Sequence, residues 1–193
     1  MSWRSKFQST RSFFALALLV LACAPMFGQL NSNSATVALT ATLGESLTVS
    51  ATPGTANFTL VSGAAATSGP VTTTTTWLMN RNRSTVTLVG YFASATAALT
   101  DGGSPANTIP TSAVSASVGA GTYNPFTGSG VGTGGTQVGV AGASLTLFTQ
   151  AISNTNRSGT RNDNLTLKID LSSQTQLPAG TYTGTLNLQA QAL

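Results

Sequence analysis

Strict alternation of apolar and polar residues constrains the fold of this chain more than any other feature of its sequence. The clearest example is LTLKIDL at 165–171, whose apolar positions are Leu165, Leu167, Ile169 and Leu171. Successive side chains of a β-strand point to opposite faces, so such a segment buries one face and exposes the other. No window shows the 3.6-residue period of an amphipathic helix, and the chain is therefore expected to be all-β.

Further segments with strand character follow one another along the chain and are separated by turn-forming residues. They are ATVALTATL (35–43), SLTVSA (46–51), NFTLV (57–61), VTTTTTWLM (71–79), TVTLVGYFA (85–93), SAVSASV (112–118), ASLTLFTQAI (143–152) and TYTGTLNLQA (181–190). Residues 85–93 are apolar on both faces, which is typical of a central strand. About eight to nine short strands with frequent turns predict an antiparallel, immunoglobulin-like (Ig-like) β-sandwich.

A single domain is predicted for residues 30–193, because no change of composition marks a boundary within them. Residues 119–142 are rich in glycine, most densely in GSGVGTGGTQVGVAG. This composition predicts an exposed flexible loop or a long hairpin connection.

Residues 1–29 have the layout of a secretory signal peptide. A basic start is followed by an apolar run from Phe13 to Ala24 and then by small residues and a proline. The run is too short for a transmembrane helix, which needs roughly 20 residues. We expect cleavage near Gly28 or Gln29 and therefore a protein that is secreted, periplasmic or on the cell surface, with no membrane span in the mature chain.

Cys23 is the only cysteine and leaves two other processing routes open. Cleavage after Ala24 fits a small-x-small site, although Pro25 would follow the cut. The sequence VLAC also resembles a lipobox, which would anchor the protein by a lipid on Cys23. The mature chain is expected to have no disulfide in any of these cases.

Charge is scarce, at 6% of the residues against about 25% in a typical globular domain. The residues after the signal peptide hold five basic side chains and four acidic ones, so the net charge of +4 falls to +1. A nucleic-acid-binding protein needs a clustered basic face, and this chain is expected to bind no nucleic acid. Thr, Ser, Asn and Gln must provide solubility, which suits either an ordinary Thr-rich β-protein or a surface that packs against copies of itself.

The residues of acid–base and metal chemistry are nearly missing. The chain has no histidine, and its four acids do not form a pair, since Asp163 and Asp170 are about 23 Å apart along an extended strand. A Ser–Lys arrangement that uses Lys168 is left open, although a solvated lysine is its ordinary interpretation. We therefore expect no enzyme activity, no catalytic residue, no bound metal and no cofactor.

Two arginine-bearing turns are the remaining candidates for binding. NRNRS (80–84) and NRSGTRNDN (156–164) hold Arg81, Arg83, Arg157 and Arg161. If both turns lie at one end of the fold, they could bind an anionic glycan or a cell-surface polymer. The alternative is that they are two ordinary solvated turns, since exposed loops usually contain polar residues. Trp77, Tyr91 and Tyr182 lie within alternating segments, which favours core packing over a carbohydrate-stacking platform.

The two ends of the chain resemble a family of bacterial secreted Ig-like subunits, of the spore coat protein U and pilin-like type. The resemblance rests on ATVALTATLGESLTVSATPGTANFTL (35–60) and on LPAGTYTGTLNLQA (177–190), about 40 residues in all. The chain lacks the cysteines common in that family and ends in Leu193 rather than in an aromatic residue. The resemblance implies an extracellular structural subunit that donates an N-terminal strand to a neighbour.

The expected function is that of a secreted structural or cell-surface protein, a self-assembling fibre or coat subunit. Its expected partners are copies of itself or other envelope proteins. The alternative is a non-catalytic binding module for envelope polysaccharide or another surface component, which would use the two arginine turns.

Overall fold

The computed structural model describes residues 32–132, 137–174 and 176–193, so the signal peptide predicted at 1–29 lies outside the described residues. The fold is all-β, with eleven strands in the described part of the chain. They are β1 (Ser46–Thr52), β2 (Ala65–Thr67), β3 (Val71–Leu78), β4 (Thr85–Tyr91), β5 (Leu99–Thr100), β6 (Thr108–Ile109), β7 (Val114–Val118), β8 (Asn124–Pro125), β9 (Ser144–Ala151), β10 (Ser158–Asp170) and β11 (Asn187–Ala192). A 3₁₀ turn, Thr111–Ala113, precedes β7.

All strand pairs in the described residues are antiparallel and form two main sheets. The large sheet has the order β1-β3-β10-β7-β8, with β2 also paired to β10. The small sheet has the order β11-β4-β9, and β5 and β6 form a separate hairpin. The prediction that 85–93 is a central strand is confirmed, since β4 lies between β11 and β9 and is buried on both faces.

The thirteen-residue β10 organises the large sheet. Its first part, Ser158 to Leu165, pairs with β3, whereas its second part pairs with β7 on one side and β2 on the other. The odd-numbered residues Leu165, Leu167 and Ile169 are buried. The even-numbered residues up to Asn164 are exposed. One strand therefore supplies both a core face and a solvent face of the sheet.

The core lies between the two sheets and consists of two clusters of apolar side chains. Trp77 and Met79, from β3 and the residue after it, pack with Leu88 and Phe148 of the small sheet. The second cluster includes Phe92 and Phe126, whose rings meet edge to face with centroids 5.1 Å apart, together with Leu165 and Ile169. This arrangement of two antiparallel sheets is compatible with a β-sandwich.

Three sequence predictions of strands are wrong. Residues 35–43 and 57–61 form no strand, and the last strand begins at Asn187 instead of residue 181. The predicted turn at 156–164 is wrong from Ser158 onward, because those residues belong to β10. The strand β2 lies between the predicted segments 57–61 and 71–79, where the sequence predicts no strand. The predicted segments 46–51, 71–79, 85–93 and 143–152 correspond closely to β1, β3, β4 and β9.

The glycine-rich segment contributes to the core, in contrast to the exposed loop that its composition predicts. Phe126 is fully buried and Val138 nearly so. Backbone hydrogen bonds in both directions join Val131 to Val138, at 2.8 Å each. The glycines allow this close packing, since a Cβ on Gly139 would lie 2.5 Å from the Ser144 hydroxyl oxygen.

The chain divides into two units, residues 1–41 and 42–193. In the first unit, only residues 32–41 are described, and they are exposed and contain no strand. All the strands named above belong to the second unit.

Gly159 provides a test of the packing between β10 and β3. It faces Trp77 in the strand register, and a Cβ there would lie 2.6 Å from the indole ring. Trp77 is 5% exposed, and its Nε1 donates to the Asn156 carbonyl at 2.9 Å, so the ring has no free space to enter. We expect Gly159→Ala to lower the free energy of unfolding by about 1–3 kcal/mol, measured by guanidinium denaturation.

The matched control is Gly69→Ala, because no atom lies within 4 Å of a Cβ built at Gly69. Its free energy of unfolding should stay within about 0.5 kcal/mol of the wild type. Equal stability of Gly159→Ala and the wild type would show that the indole does not pack on residue 159.

Candidate functional site: an apolar groove between the sheets

An apolar groove opens between the two sheets beyond the end of β1. The strand β1 stops at Thr52, opposite Thr72, whereas β10 continues to Asp170. The groove has a volume of about 660 Å³, within the range of about 300–1,000 Å³ that is usual for ligand sites. Its size alone would therefore accommodate a ligand or several side chains of another segment.

Each wall of the groove comes from one sheet. The large sheet contributes Val71, Val114, Leu165, Leu167 and Ile169. The opposite wall consists of Phe92, at the end of β4, and of Leu186 and Leu188, which lead into and belong to β11. Alternation explains these walls, since Leu165, Leu167 and Ile169 all point to the same side of β10.

Two connecting segments complete the lining of the groove. The chain from Pro53 to Leu60 contributes lining residues without forming a strand, and Phe58 and Leu60 pack partly buried against the core. Residues 180–185 line the other side. A Cβ on Gly184 would collide with the Ala98 carbonyl oxygen, so the backbone approaches closely here and the position requires a glycine.

The groove has no charged lining residue among those described. Among its aromatic lining residues, Tyr182 alone carries a hydroxyl, which donates to the Pro178 carbonyl at 3.0 Å. Removal from water raises the pKa of Tyr182, and the charge of Asp101 adds to the effect. The site is therefore suited to an uncharged, apolar occupant.

A second apolar feature is the segment of residues 35–43, near the N-terminal end of the described chain, in which apolar and polar residues alternate. In residues 35–43, Val37 is 82% exposed, Leu39 is 92% exposed and Leu43 is 81% exposed. Large apolar side chains exposed in a row are uncommon on a soluble domain and mark an interaction site. Residues 35–43 thus have the sequence pattern of a strand, but they pair with no strand among the described residues.

Three of the four arginines predicted to form binding turns do lie in turns, and these turns meet. The backbone N–H of Met79 donates to the Arg157 carbonyl, and Arg157 Nη1 donates to the Asn80 carbonyl at 2.6 Å. Arg81 and Arg83 belong to the same 80–84 turn, and Arg81 is exposed. We call residues 80–84 and 153–157 the arginine end.

The arginine end is only partly available to a ligand. Arg83 forms an ion pair with Glu45 at 3.4 Å and donates to the Ala192 carbonyl, while Arg157 Nη2 donates to Asn154 Oδ1 at 2.9 Å. A bond from the Asn80 backbone N–H and the adjacent Arg83 lower the pKa of Glu45. Protein acceptors thus hold the guanidinium groups of Arg83 and Arg157.

Arg161 does not lie in a turn, which corrects the prediction from sequence. It belongs to β10 and points to the side of the core, where its Nε donates to Asp163 Oδ2 at 2.6 Å. Its guanidinium carbon lies 4.3 Å from the centroid of the Phe148 ring. Hydrogen bonding to Asp163 raises the pKa of Arg161 against the opposing effect of burial. This side chain therefore has a role in packing between the sheets.

The aromatic residues divide between the core and its margins. Trp77 is buried, which confirms its predicted core position. Tyr91 is half-buried and its hydroxyl donates to Gln189 Oε1 at 3.3 Å, while the half-buried Tyr182 lines the groove. These three rings do not form a common stacking platform, because Trp77 lies within the core.

The two acids considered for catalysis are kept apart by the strand period. Asp163 and Asp170 differ by an odd number of positions in β10 and so lie on opposite faces of it. Lys168 pairs with Asp170 at 3.2 Å. In residues 32–132, 137–174 and 176–193, no three His, Cys, Asp or Glu side chains form a group that could hold a metal ion.

Comparisons of the chain with protein families, curated proteins and solved structures found no match. Among the described residues, no helix is long and apolar enough to cross a membrane.

Asp170 provides a pH-dependent test of this end of β10. The Ser172 hydroxyl, the Ser172 backbone N–H and Lys168 lower the pKa of Asp170 from 3.8 to about 2. A lowered pKa in the folded state stabilises the fold above the unfolded value, and this contribution is lost as the pH falls from 3.8 towards 2. We expect an NMR titration of the Asp170 carboxyl to show a midpoint near 2.

The variant Ser172→Ala should move that midpoint towards 3.8, because it removes the hydroxyl that donates to Asp170 at 2.6 Å. Ser173→Ala is the neighbouring control and should leave the midpoint unchanged. A wild-type midpoint at 3.8 would contradict the geometry at Ser172.

Proposed function

We propose that this protein is a secreted, non-catalytic structural subunit with an Ig-like β-sandwich fold, which assembles by inserting residues 35–43 of one copy into the groove of the next. The observation that carries the proposal is the combination of an exposed apolar strand sequence and an open apolar groove in the same chain. Strand addition supplies backbone hydrogen bonds for affinity and alternate side chains for specificity.

The chemistry of the segment is complementary to that of the groove. Residues 35–43 have no charged side chain, and Val37, Leu39, Ala41 and Leu43 would share one face of a strand. The groove has apolar walls and no charged lining residue. Insertion would remove from water the side chains of the segment and the half-buried Leu186 and Leu188 of the groove, at about 25 cal/mol per Å² of apolar surface.

The proposed contact joins two different surfaces, the segment of one copy and the groove of the next. Such a contact is head-to-tail, and it generates an open filament unless its rotation closes a ring.

The compartment follows from the sequence. The predicted signal peptide directs the chain to secretion, the periplasm or the cell surface, where a fibre or coat subunit would act. The near absence of charge lowers the repulsion between neighbouring copies. The resemblance of the two end segments to spore coat protein U and pilin-like subunits supports the same interpretation.

The test uses a chain that begins at residue 30 and two matched variants. Val37→Asp/Leu39→Asp places charges on the apolar face of the segment, whereas Ala38→Asp/Thr40→Asp places the same charges on its other face. We expect the wild type and the second variant to form filaments in electron micrographs, with a molar mass by light scattering that rises with concentration. The first variant should remain monomeric, because a carboxylate cannot enter the apolar groove without a large cost.

A peptide of residues 35–43 identifies the receiving surface. Added to a chain of residues 44–193, it should bind and raise the melting temperature. A groove variant, Leu186→Asp, should bind the peptide at least about tenfold more weakly, a change of 1.4 kcal/mol. Monomeric wild type at high concentration, or equal assembly of both segment variants, would overturn the proposal.

A further inference from the structure

The solvent face of the large sheet carries a regular array of hydroxyl and amide side chains. Three strands contribute three residues each, and the strand registers align them in three ranks. The ranks are Thr48–Thr76–Thr160, Ser50–Thr74–Asn162 and Thr52–Thr72–Asn164. Eight of the nine residues are exposed and Thr74 is half-buried. We call these nine residues the hydroxyl array.

A side-chain hydrogen bond between β3 and β10 recurs in each rank. Thr76 and Thr160 join their hydroxyls at 3.1 Å, Thr74 donates to Asn162 Oδ1 at 2.8 Å, and Thr72 donates to Asn164 Oδ1 at 3.2 Å. These bonds hold the β3 and β10 side chains in fixed orientations, which lowers the entropy lost when they bind a ligand.

The array keeps several polar groups available. The amide oxygens of Asn162 and Asn164 accept the threonine hydroxyls, so their Nδ2 groups point away from these bonds and can donate elsewhere. The hydroxyls of Thr48, Ser50 and Thr52 on β1 have no hydrogen-bond partner within the described part of the chain. Five groups on one face thus have unused hydrogen-bonding capacity.

The array contains no ionisable group, and this favours an uncharged ligand. The first charged side chains further along this face of β10 are Lys168 and Asp170, and they pair with each other at 3.2 Å. At the opposite end, Glu45 and Arg83 likewise form an ion pair. An anionic or cationic polymer would find no free counter-charge on the array, so it suits an uncharged ligand with many hydroxyls.

The spacing and curvature of the array indicate an extended, flexible ligand. Neighbouring strands are about 4.8 Å apart and alternate residues on one strand about 6.8 Å apart, so polar groups repeat in both directions. Each strand is rotated by about 20–25° relative to the next, and three strands therefore present a twisted surface. A single flexible polymer chain can follow this twisted surface, whereas a ligand with a flat, rigid surface, such as the face of a crystal, cannot contact all three strands.

The geometry points to the hydroxyl array as a binding site for an uncharged polysaccharide chain. The ligand lies across the ranks and exchanges hydroxyl hydrogen bonds with the β1 hydroxyls and the two asparagine amides. This site is separate from the groove, because the array is on the outer face of the large sheet and the groove lines its inner face. It is also separate from the arginine end.

The test measures binding of the chain from residue 30 to immobilised polysaccharides by biolayer interferometry. The uncharged probes are dextran, galactomannan and a soluble mixed-linkage β-glucan, and the anionic probes are polygalacturonate and heparin. We expect binding to at least one uncharged probe and no preference for the anionic ones. Thr48→Val/Ser50→Ala/Thr52→Val, which removes the three β1 hydroxyls that the proposal assigns to the ligand, should weaken that binding by about tenfold or more.

The control variant is Thr146→Val/Thr149→Val, which likewise removes hydroxyls from exposed positions on the outer face of the small sheet. It should bind like the wild type, and thermal unfolding of both variants should show that they fold. No binding to any uncharged probe, or equal weakening by both variants, would overturn the proposal. So would binding to microcrystalline cellulose or ice without binding to soluble chains, or a preference for heparin that Arg81→Ala abolishes.

Discussion

The backbone hydrogen bonds of β10 are the interaction on which the rest of the structure depends. The strand runs from Ser158 to Asp170 and pairs with β3, β7 and β2, so that three parts of the chain far apart in sequence share one ladder. Its inner residues form a wall of the groove, and its outer residues Thr160, Asn162 and Asn164 form one edge of the hydroxyl array. Alternate residues of this one strand point to opposite faces of the sheet, so one set lines the groove and the other set belongs to the hydroxyl array. The two proposed functions therefore use opposite faces of the same strand.

Pairing between side chains explains how this strand can include so many polar residues. Asn162 and Asn164 disfavour strands by intrinsic propensity, but threonines on β3 bond to both of them across the sheet. Arg161 and Asp163 lie on the inner face, where they are tolerated because they pair with each other and Arg161 stacks on Phe148. Cross-strand pairing thus replaces the stabilisation that apolar residues provide in the second half of the strand.

These pairings explain where prediction from the sequence succeeds and where it fails. Residues 71–79 and 85–93 are predicted correctly, because burial of one or both faces leaves a pattern that can be seen in the segment itself. Residues 158–164 are predicted to be a turn, since their stability as a strand comes from Thr72, Thr74 and Thr76, about 90 positions earlier in the chain. The groove is equally invisible in the sequence, because it depends on β1 ending at Thr52 while β10 continues. Residues 35–43 have the pattern of a strand, but alternation does not specify the partner that a strand requires.

The edges of the two sheets indicate where such a partner would be accepted. On one side, the register between β4 and β9 shifts between Leu88 and Val89, so Leu147 of β9 lies in a bulge that disfavours pairing of that edge with another chain. On the other side, β1 and β11 each pair without a register shift, and no strand of the described residues pairs with their outer edges. The groove opens on this second side, next to Ala51 of β1 and Leu188 of β11. An added strand could therefore pair its backbone with a regular sheet edge and place its apolar side chains in the groove. An alternating, uncharged segment such as 35–43 is suited to both interactions.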